Sequence, residues 1–235
     1  MIMKKKLVVL TGAGMSAESG IGTFRDSGGL WEKHPVEKVA TPQGYLEDPE
    51  LVTQFYNERR LELLKVEPNK GHRLLADLEE EYDVTIITQN VDDLHERAGS
   101  SHIIHLHGEL TKVCSTKEPF NIQFVEELKP EDYEVKIGDL AGDGSQLRPY
   151  IVWFGEAVPE IETALPFVRK ADVFVIIGTS MNVYPAAGLL NYVASDVPKY
   201  LIDPKAVNIS SSEKIHHIQE GASQGVATLM KLLNK

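Results

Sequence analysis

Residues 7–17 read LVVLTGAGMSA, in which a short aliphatic run leads directly into a glycine-rich turn. The aliphatic run is typical of a buried strand, and Gly12, Gly14 and Ala17 satisfy the G-x-G-x-x-G/A pattern. Glycines at these positions let backbone N–H groups approach a pyrophosphate at the start of a helix. The stretch therefore predicts the opening strand and turn of a dinucleotide-binding fold; a tight turn without a ligand is the alternative.

Further β-branched and aliphatic runs indicate that this strand belongs to a parallel sheet. Asp48-Pro49 and Asn69 mark two helix starts, because these residue types favour N-caps and first helical turns. We expect an α/β fold, a Rossmann-like doubly wound parallel sheet with a smaller inserted lobe. The further strands are predicted at 84–88, 103–107, 149–154, 172–177 and 199–202, and the helices at 49–65, 69–82, 93–98 and 225–235.

Between Thr111 and Arg148 the regular pattern breaks down. This segment holds eight acidic residues from Glu118 to Asp143, two prolines and three glycines. Such a composition predicts an inserted small module or a mobile loop outside the core. The predicted division of the chain is a Rossmann-like nucleotide-binding domain over 1–35, 84–112 and 149–235, a helical insertion over 36–83 and a small module over 113–148.

The composition limits the partners and the compartment. The 235 residues include 24 Lys and Arg against 35 Asp and Glu, and the formal net charge of −11 argues against general attraction to nucleic acid or to an anionic membrane. No apolar run approaches the ~20 residues that a membrane-spanning helix needs. Cys114 is the only cysteine, which excludes an internal disulfide and fits a reducing compartment. We expect a cytoplasmic protein without nucleic-acid or membrane partners.

Polar residues follow several of the predicted strands. The pentapeptide TQNVD at 88–92 ends one strand, and amide and carboxylate side chains at the carboxyl edge of a parallel sheet suit ribose hydroxyls and a carboxamide. Capping of the helix at 93–98 explains Asn90 and Asp92 equally well. FGEAVP at 154–159 and GTSMN at 178–182 follow two other strands, and each is either a simple turn or part of the same crevice.

Two histidines, His105 and His107, lie on one side of a predicted strand. A histidine exchanges protons near neutral pH, and His107 stands where the strand ends at a glycine, which suits a general base. A hydrogen-bonded core histidine is the commoner role. Together with His102 the pair also suggests a metal site, but residues two apart on a strand need further ligands and Cys114 is a poor supplement.

Taken in order, these motifs resemble the sirtuin family of NAD-dependent protein deacylases, from Leu7 to about Leu232. The resemblance implies that NAD is the cofactor and that acyl-lysine proteins or peptides are the substrates. The acyl oxygen attacks the ribose carbon that bears nicotinamide, nicotinamide leaves, and water then releases free lysine and an O-acyl-ADP-ribose. The matching motifs are GAGMSAESGI with the FR that follows it, TQNVD, HG, FGE and GTS.

The resemblance also implies a role for each matching residue. His107 is the expected general base, with Asn90 as a second catalytic residue, and Val158 belongs to the segment that pairs with an extended substrate peptide. The expected cofactor contacts are Gly12, Ala13, Gly14, Ser16, Glu18, Phe24, Arg25, Gln89, Asn90, Asp92, Gly178, Thr179, Ser180, Asp203 and Ala222.

The chain departs from the family pattern at two places. Most sirtuins carry four zinc cysteines between the HG and FGE motifs, whereas here Cys114 stands near the first position, Lys117 near the second, and no later cysteine exists. We therefore expect no zinc, and packing must hold the small module in place of thiolate ligands. Asp203 stands where many members have Asn for the adenosine ribose, and a carboxylate accepts from the same hydroxyls.

Tyr56 and Arg59 indicate the substrate class. Residues three apart are neighbours on one helix face, and the arginine fork with a tyrosine hydroxyl suits a carboxylate. The chain resembles, in its Tyr-x-x-Arg pair at this place, the sirtuin subgroup that removes malonyl and succinyl groups. The resemblance implies a preference for malonyl- and succinyl-lysine here. The alternative is a surface arginine paired with Glu58 or Glu62.

Three other functions stay open on sequence grounds. A general deacetylase would show no preference for acidic acyl groups. A module that binds NAD or ADP-ribose without catalysis would not need a base at His107. Mono-ADP-ribosyl transfer shares the first chemical step and differs in the acceptor.

Overall fold

The computed structural model of the protein describes residues 3–22, 34–207 and 214–234. The strands of the described part are β1 (Lys6–Thr11), β2 (Asp83–Thr88), β3 (Ile103–His105), β4 (Gly108–Ser115), β5 (Val125–Glu127), β6 (Leu147–Ile151), β7 (Val173–Ile177), β8 (Lys199–Ile202) and β9 (Ile215–Ile218). The helices are α1 (Ala13–Ser16), α2 (Val36–Val39), α3 (Pro42–Glu47), α4 (Pro49–Leu63), α5 (Lys70–Asp77), α6 (Leu94–Ala98), α7 (Glu160–Arg169) and α8 (Ala222–Leu233).

The large sheet is parallel and has the strand order β3-β2-β1-β7-β8-β9. Side chains of a strand alternate between the two faces, and in β1 both faces are buried. Leu7 and Val9 cluster with residues of α5 and α8, whereas Val8 and Leu10 cluster with residues of α7. Helices therefore cover both faces, as an uninterrupted apolar strand requires. The predicted Rossmann-like fold is confirmed.

A helical lobe packs beside this sheet. The Asp48 carboxylate accepts a hydrogen bond from Leu51 N at 2.9 Å, and Pro49 occupies the first turn, so α4 begins where the sequence predicted. Asn69 caps α5 in the same way, through its bond from Gly71 N at 2.8 Å. One face of α4 is buried in an apolar cluster that also contains Trp153.

The small sheet is antiparallel, in the order β5-β4-β6, and it corrects one prediction. The run at 149–154 was expected in the parallel sheet, but residues 149–151 belong to β6 and pair with β4. The chain leaves the large sheet at Gly108, whose φ of 82° lies in the left-handed region. Alternating apolar residues indicate a strand without indicating its partner, which is why the two sheets were confused.

The segment 113–148 is more ordered than its composition indicated. Its strands enclose an apolar cluster of Val113, Val135, Ala141 and Leu147. β4 and β6 extend beyond 113–148 at both ends, and the predicted division of the chain into three parts stays a prediction. No sequence pattern predicted α2, α3, α7, β4, β5 or β9. Among the described residues, no helix has the length and apolar character to cross a membrane.

Candidate active site

A cavity of about 610 Å³ is lined by residues that follow β1, β2 and β7. β2 and β7 flank β1 in the sheet, so the cavity lies at the point where the chain changes direction across the sheet. Ligands bind at such switch points in open α/β sheets, and ligand pockets commonly measure about 300–1,000 Å³. The predicted site residues on its wall are Gly12, Ala13, Gly14, Glu18, Tyr56, Arg59, Gln89, Asn90, His107, Val158, Gly178, Thr179, Ser180 and Asp203.

A second cavity, of about 410 Å³, adjoins the first and contains Ser16 and Asp92. Ala13, Arg59 and Asn90 line both cavities. The two cavities together gather all but three of the predicted site residues. Ala222 is buried in the apolar core, and its neighbour Gly221 lines the larger cavity instead. Phe24 and Arg25 lie outside the described residues.

The predicted glycine turn brings two loops into close contact. Gly14 N donates to the carbonyl oxygen of Gly178 at 2.9 Å, and a Cβ on Gly14 would lie only 2.6 Å from the Gly178 Cα. Gly178 has a φ of 60°, which glycine adopts without strain. α1 has only four residues, so its dipole is small.

Asn90, Ser16 and Asp92 form a buried hydrogen-bonded group. The Asn90 side-chain nitrogen donates to Gly12 O at 3.1 Å and to Ser16 Oγ at 3.0 Å, and Ser16 Oγ donates to Asp92 Oδ2 at 2.9 Å. Both amide protons of Asn90 are thus in use, which leaves its side-chain oxygen as an acceptor. Asp92 also accepts from Leu94 N at 3.2 Å, so it helps to start α6 as well as holding Ser16.

Burial sets the charge behaviour of Asp92. Desolvation raises the pKa of the Asp92 carboxyl, and the bond from Ser16 opposes that rise. A carboxylate held by two donors in a buried place is a strong acceptor for an amide N–H. This group can therefore orient a carboxamide.

His107 and His105 have different environments despite their similar positions in the sequence. His107 Nδ1 lies 3.1 Å from the carbonyl oxygen of Gln89, so Nδ1 carries the proton and Nε2 can accept one. Burial lowers the pKa of His107, which keeps the ring neutral at pH 7. In His105 both nitrogens are in use, toward Asn90 O at 3.1 Å and Glu96 Oε1 at 2.7 Å.

The pKa of His105 shifts in the opposite direction. Burial lowers it, but the hydrogen bond and the charge of Glu96 outweigh burial and the net pKa is raised. His105 therefore fits the structural role that the sequence left open, whereas His107 lines the cavity and its Nε2 has no partner among the described residues. Of these two histidines, His107 has the protonation state and the accepting nitrogen that a general base requires.

Tyr56 and Arg59 lie on one face of α4 and both line the larger cavity. The Tyr56 hydroxyl is buried and accepts a hydrogen bond from Trp153 Nε1 at 3.0 Å. Burial raises the pKa of Tyr56 to about 12, so the hydroxyl stays protonated. Arg59 forms an ion pair with Glu62 at 2.8 Å, as the surface interpretation predicted, yet its side chain is only 13% exposed.

Sequence reasoning missed a buried ion pair beneath this wall. Arg148 on β6 donates to both carboxylate oxygens of Glu156, at 2.7 and 3.0 Å, and its guanidinium lies 3.5 Å from the ring centre of Trp153. Glu156 also accepts from Trp153 N at 2.7 Å. The FGE motif pointed to Glu156 as a residue of interest, but no sequence signal paired it with Arg148.

The described residues contain no group of three His, Cys, Asp or Glu side chains arranged to hold a metal ion. Cys114 is buried, and burial raises the pKa of its thiol to about 12. A protonated, buried thiol is a poor metal ligand.

Comparisons with known proteins agree with this geometry. A sequence model of the Sir2 family matches residues 12–185. An NAD-dependent protein deacylase of Bacteroides thetaiotaomicron is 69% identical over 97% of this chain and 98% of its own length. A protein of the same name from Helicobacter pylori strain 26695 is 53% identical, with 97% of both chains covered.

Solved structures show the same similarity. The crystal structure of a Sir2 homologue in complex with NAD superposes with a TM-score of 0.84 at 38% identity, and it covers 98% of this chain and 90% of the other. A Sir2 protein with a deacetylated p53 peptide and 3′-O-acetyl ADP-ribose gives a TM-score of 0.80 at 28% identity, with 97% and 94% covered.

The chain belongs to the Sir2 family of NAD-dependent protein deacylases. Its cavities fit NAD on their own chemistry. Asn90 and Asp92 offer acceptors to a carboxamide, and the close contact of the Gly12–Gly14 turn with Gly178 leaves room for a ligand along the turn, whose three residues line the larger cavity. Asp203 accepts from Lys205 N through Oδ1, which leaves Oδ2 for a ribose hydroxyl. NAD is the cofactor of this enzyme.

Proposed function

We propose that this protein uses NAD to remove succinyl and malonyl groups, in addition to acetyl groups, from lysine side chains of proteins. The observation that carries the proposal is the common wall of Tyr56, Arg59 and His107 in one cavity. A fork of guanidinium N–H groups and a protonated hydroxyl match a carboxylate at the end of an acyl chain. A methyl group at the same place satisfies neither donor.

We assign the chemical steps to residues as follows. NAD supplies a ribose carbon from which nicotinamide can leave. Asn90 and Asp92 would hold the carboxamide, and His107, whose Nδ1 carries the proton, would take a proton from a ribose hydroxyl through Nε2. The neutral His107 ring, kept so by burial, is ready for this role at pH 7.

The remaining assignments concern binding. Gln89 donates to Thr179 Oγ1 at 3.1 Å and so joins the loops after β2 and β7 at the ribose end of the cavity. Glu18 accepts from Ser223 N at 3.1 Å, which ties the glycine turn to the start of α8. Val158 lies on the cavity wall in the segment proposed to pair with the substrate peptide.

The test is nicotinamide release from NAD with matched succinyl-, malonyl- and acetyl-lysine peptides, with and without a chelator. We expect faster turnover of the acidic peptides and no effect of the chelator. Arg59→Met removes hydrogen bonds to a charged group, so the succinyl-to-acetyl ratio of kcat/KM is expected to fall about 10- to 100-fold. An unchanged ratio in this variant would refute the acyl preference.

A matched control is Arg73→Met, because Arg73 is an exposed arginine on α5 that lines neither cavity. The same assay separates the alternatives. Equal rates for all acyl groups indicate a general deacetylase. NAD binding without nicotinamide release indicates a binding module, and added ADP-ribose on the target, seen by mass spectrometry, indicates ADP-ribosyl transfer.

A further inference from the structure

The Tyr56 hydroxyl has one partner among the described residues, the indole N–H of Trp153 at 3.0 Å. A hydroxyl oxygen that accepts this bond still carries its own proton, and the direction of that proton is restricted by the bond it accepts. Tyr56 lines the larger cavity, so its remaining donor is available to a ligand there. The direction in which the Tyr56 hydroxyl donates its proton therefore depends on where the indole N–H of Trp153 points.

The indole is held in place from two other directions. The main-chain N–H of Trp153 donates to Glu156 at 2.7 Å, and the Arg148 guanidinium lies 3.5 Å from the centre of the indole ring. Arg148 and Glu156 are joined by two bonds, and Arg148 also donates to Ile151 O at 2.6 Å. Both side chains of this pair are largely buried. Trp153 therefore has little freedom to turn its N–H away from Tyr56.

A donor fixed in this way discriminates between acyl groups. A carboxylate accepts the hydroxyl proton and gains a hydrogen bond, whereas an acetyl methyl group leaves the donor unsatisfied once water is displaced. The hydroxyl cannot easily rotate to escape this mismatch, because it would lose the bond from Trp153. The preference then depends on a residue that need not touch the acyl group.

We propose that Trp153 is a positioning residue for acyl selection, which acts by orienting the Tyr56 hydroxyl as a donor to a terminal carboxylate. The proposal rests on the proposed preference for acidic acyl groups and assigns part of that preference to the indole N–H. Arg148 and Glu156 act one step further away, by holding the indole.

The experiment is a double-mutant cycle with Trp153→Phe and Tyr56→Phe. Trp153→Phe keeps an aromatic ring and removes the N–H, and the succinyl-to-acetyl ratio of kcat/KM is expected to fall about fivefold, the worth of one neutral hydrogen bond. In the Tyr56→Phe background the same change is expected to leave the ratio unaltered. The control is Tyr45→Phe, since Tyr45 packs against Trp153 and no described residue bonds its buried hydroxyl.

The outcomes separate the two proposals. An equal fall in the ratio in both backgrounds, or equal losses for succinyl and acetyl peptides, would overturn the role of Trp153. Failure of Arg59→Met to change the ratio would instead overturn the acyl preference itself. If Trp153→Phe does not fold, benzothienylalanine at position 153 replaces the N–H by sulfur with nearly the same shape, and the same ratio is measured.

Discussion

The two sheets of this protein are stabilised in different ways. The large sheet buries apolar side chains on both faces, and its functional edge is built from loops that follow β1, β2 and β7. The small sheet has a core of four buried apolar residues, and polar side chains join its ends. Ser115 Oγ donates to Asp143 at 2.7 Å and accepts from Lys117 N and Glu118 N at 3.0 Å each.

This difference shows how polar side chains can connect the strands of a small module. A zinc site would join the ends of the strands through thiolates; here hydrogen bonds from Ser115 at the end of β4 reach Asp143, and the Arg148–Glu156 pair ties β6 to the segment that follows it. Apolar burial in the large sheet is spread over many residues of both faces. Polar connections are directional, so the loss of one in the small sheet is expected to act locally.

The largest effect is expected from Arg148→Met. The substitution leaves the Glu156 carboxylate buried without its cation, and breaking a buried pair in this way costs about 3–5 kcal/mol. Urea denaturation measures the loss in the free energy of unfolding. Lys6→Met, which removes an exposed pair with Asp83, is the control and should cost less than about 1 kcal/mol. Equal losses in the two variants would contradict the assigned importance of Arg148.

Acidification should lower the stability of the large sheet and of the small sheet in different pH ranges. Burial lowers the pKa of His72, on α5 beside the large sheet, from 6.5 to about 4. Between pH 6.5 and pH 4 the His72 side chain binds a proton in the unfolded chain and stays neutral in the folded protein. The free energy of unfolding is therefore unaffected by His72 above pH 6.5 and decreases as the pH falls below that value. The loss is about 3 kcal/mol by pH 4.

Urea denaturation of the wild type and of His72→Gln at pH 7 and pH 4.5 checks this, and the variant should lose less stability over the interval. The small sheet behaves otherwise, because hydrogen bonds from Ser115 and Ser145 lower the pKa of Asp143 from 3.8 to about 2. The stability that the Asp143 carboxylate contributes to the folded protein is present above pH 3.8 and is lost only as the pH falls toward 2. Parallel losses in wild type and variant would show that His72 does not set the acid limit.

A smaller effect is expected from Ser115→Ala. The hydroxyl is fully buried and serves several partners, and its removal is expected to cost about 1–2 kcal/mol. Hydrogen exchange of amides in β4 and at Lys117 and Glu118 should accelerate, while amides of β1 keep their protection. Ser101→Ala, at an exposed hydroxyl bonded to Glu79, should stay within about 0.5 kcal/mol of wild type. Uniform acceleration across both sheets would argue against a local role.

Much of the large sheet could be predicted because its signals are local. An aliphatic run followed by glycines specifies strand and turn in a few residues, and Asn90 and Asp92 stand directly after a strand. The carboxyl ends of parallel strands meet at one edge, so the crevice follows from the order of elements. Even the distant bond between Ser16 and Asp92 joins two residues that the motifs had already singled out.

The rest depends on contacts that a local pattern does not encode. Residues 149–151 have the appearance of a strand in either sheet, and only tertiary pairing places them beside β4. The Trp153–Tyr56 bond joins positions 97 apart, and the Arg148–Glu156 pair is recognisable only once a turn has brought the two together. Polar partners in space leave no periodic signal along the chain.

Arg59 and Asn90 belong to the walls of both cavities, so the two spaces share a partition. A ligand in one cavity that moves Arg59 or Asn90 changes the free energy of binding in the other cavity. Thermodynamic linkage makes such an influence reciprocal: whatever factor a ligand in one cavity applies to the affinity of the other, it receives in return. Where a product and an acyl group both contact Arg59 or Asn90, product affinities measured for the empty enzyme need not hold when an acyl group is bound.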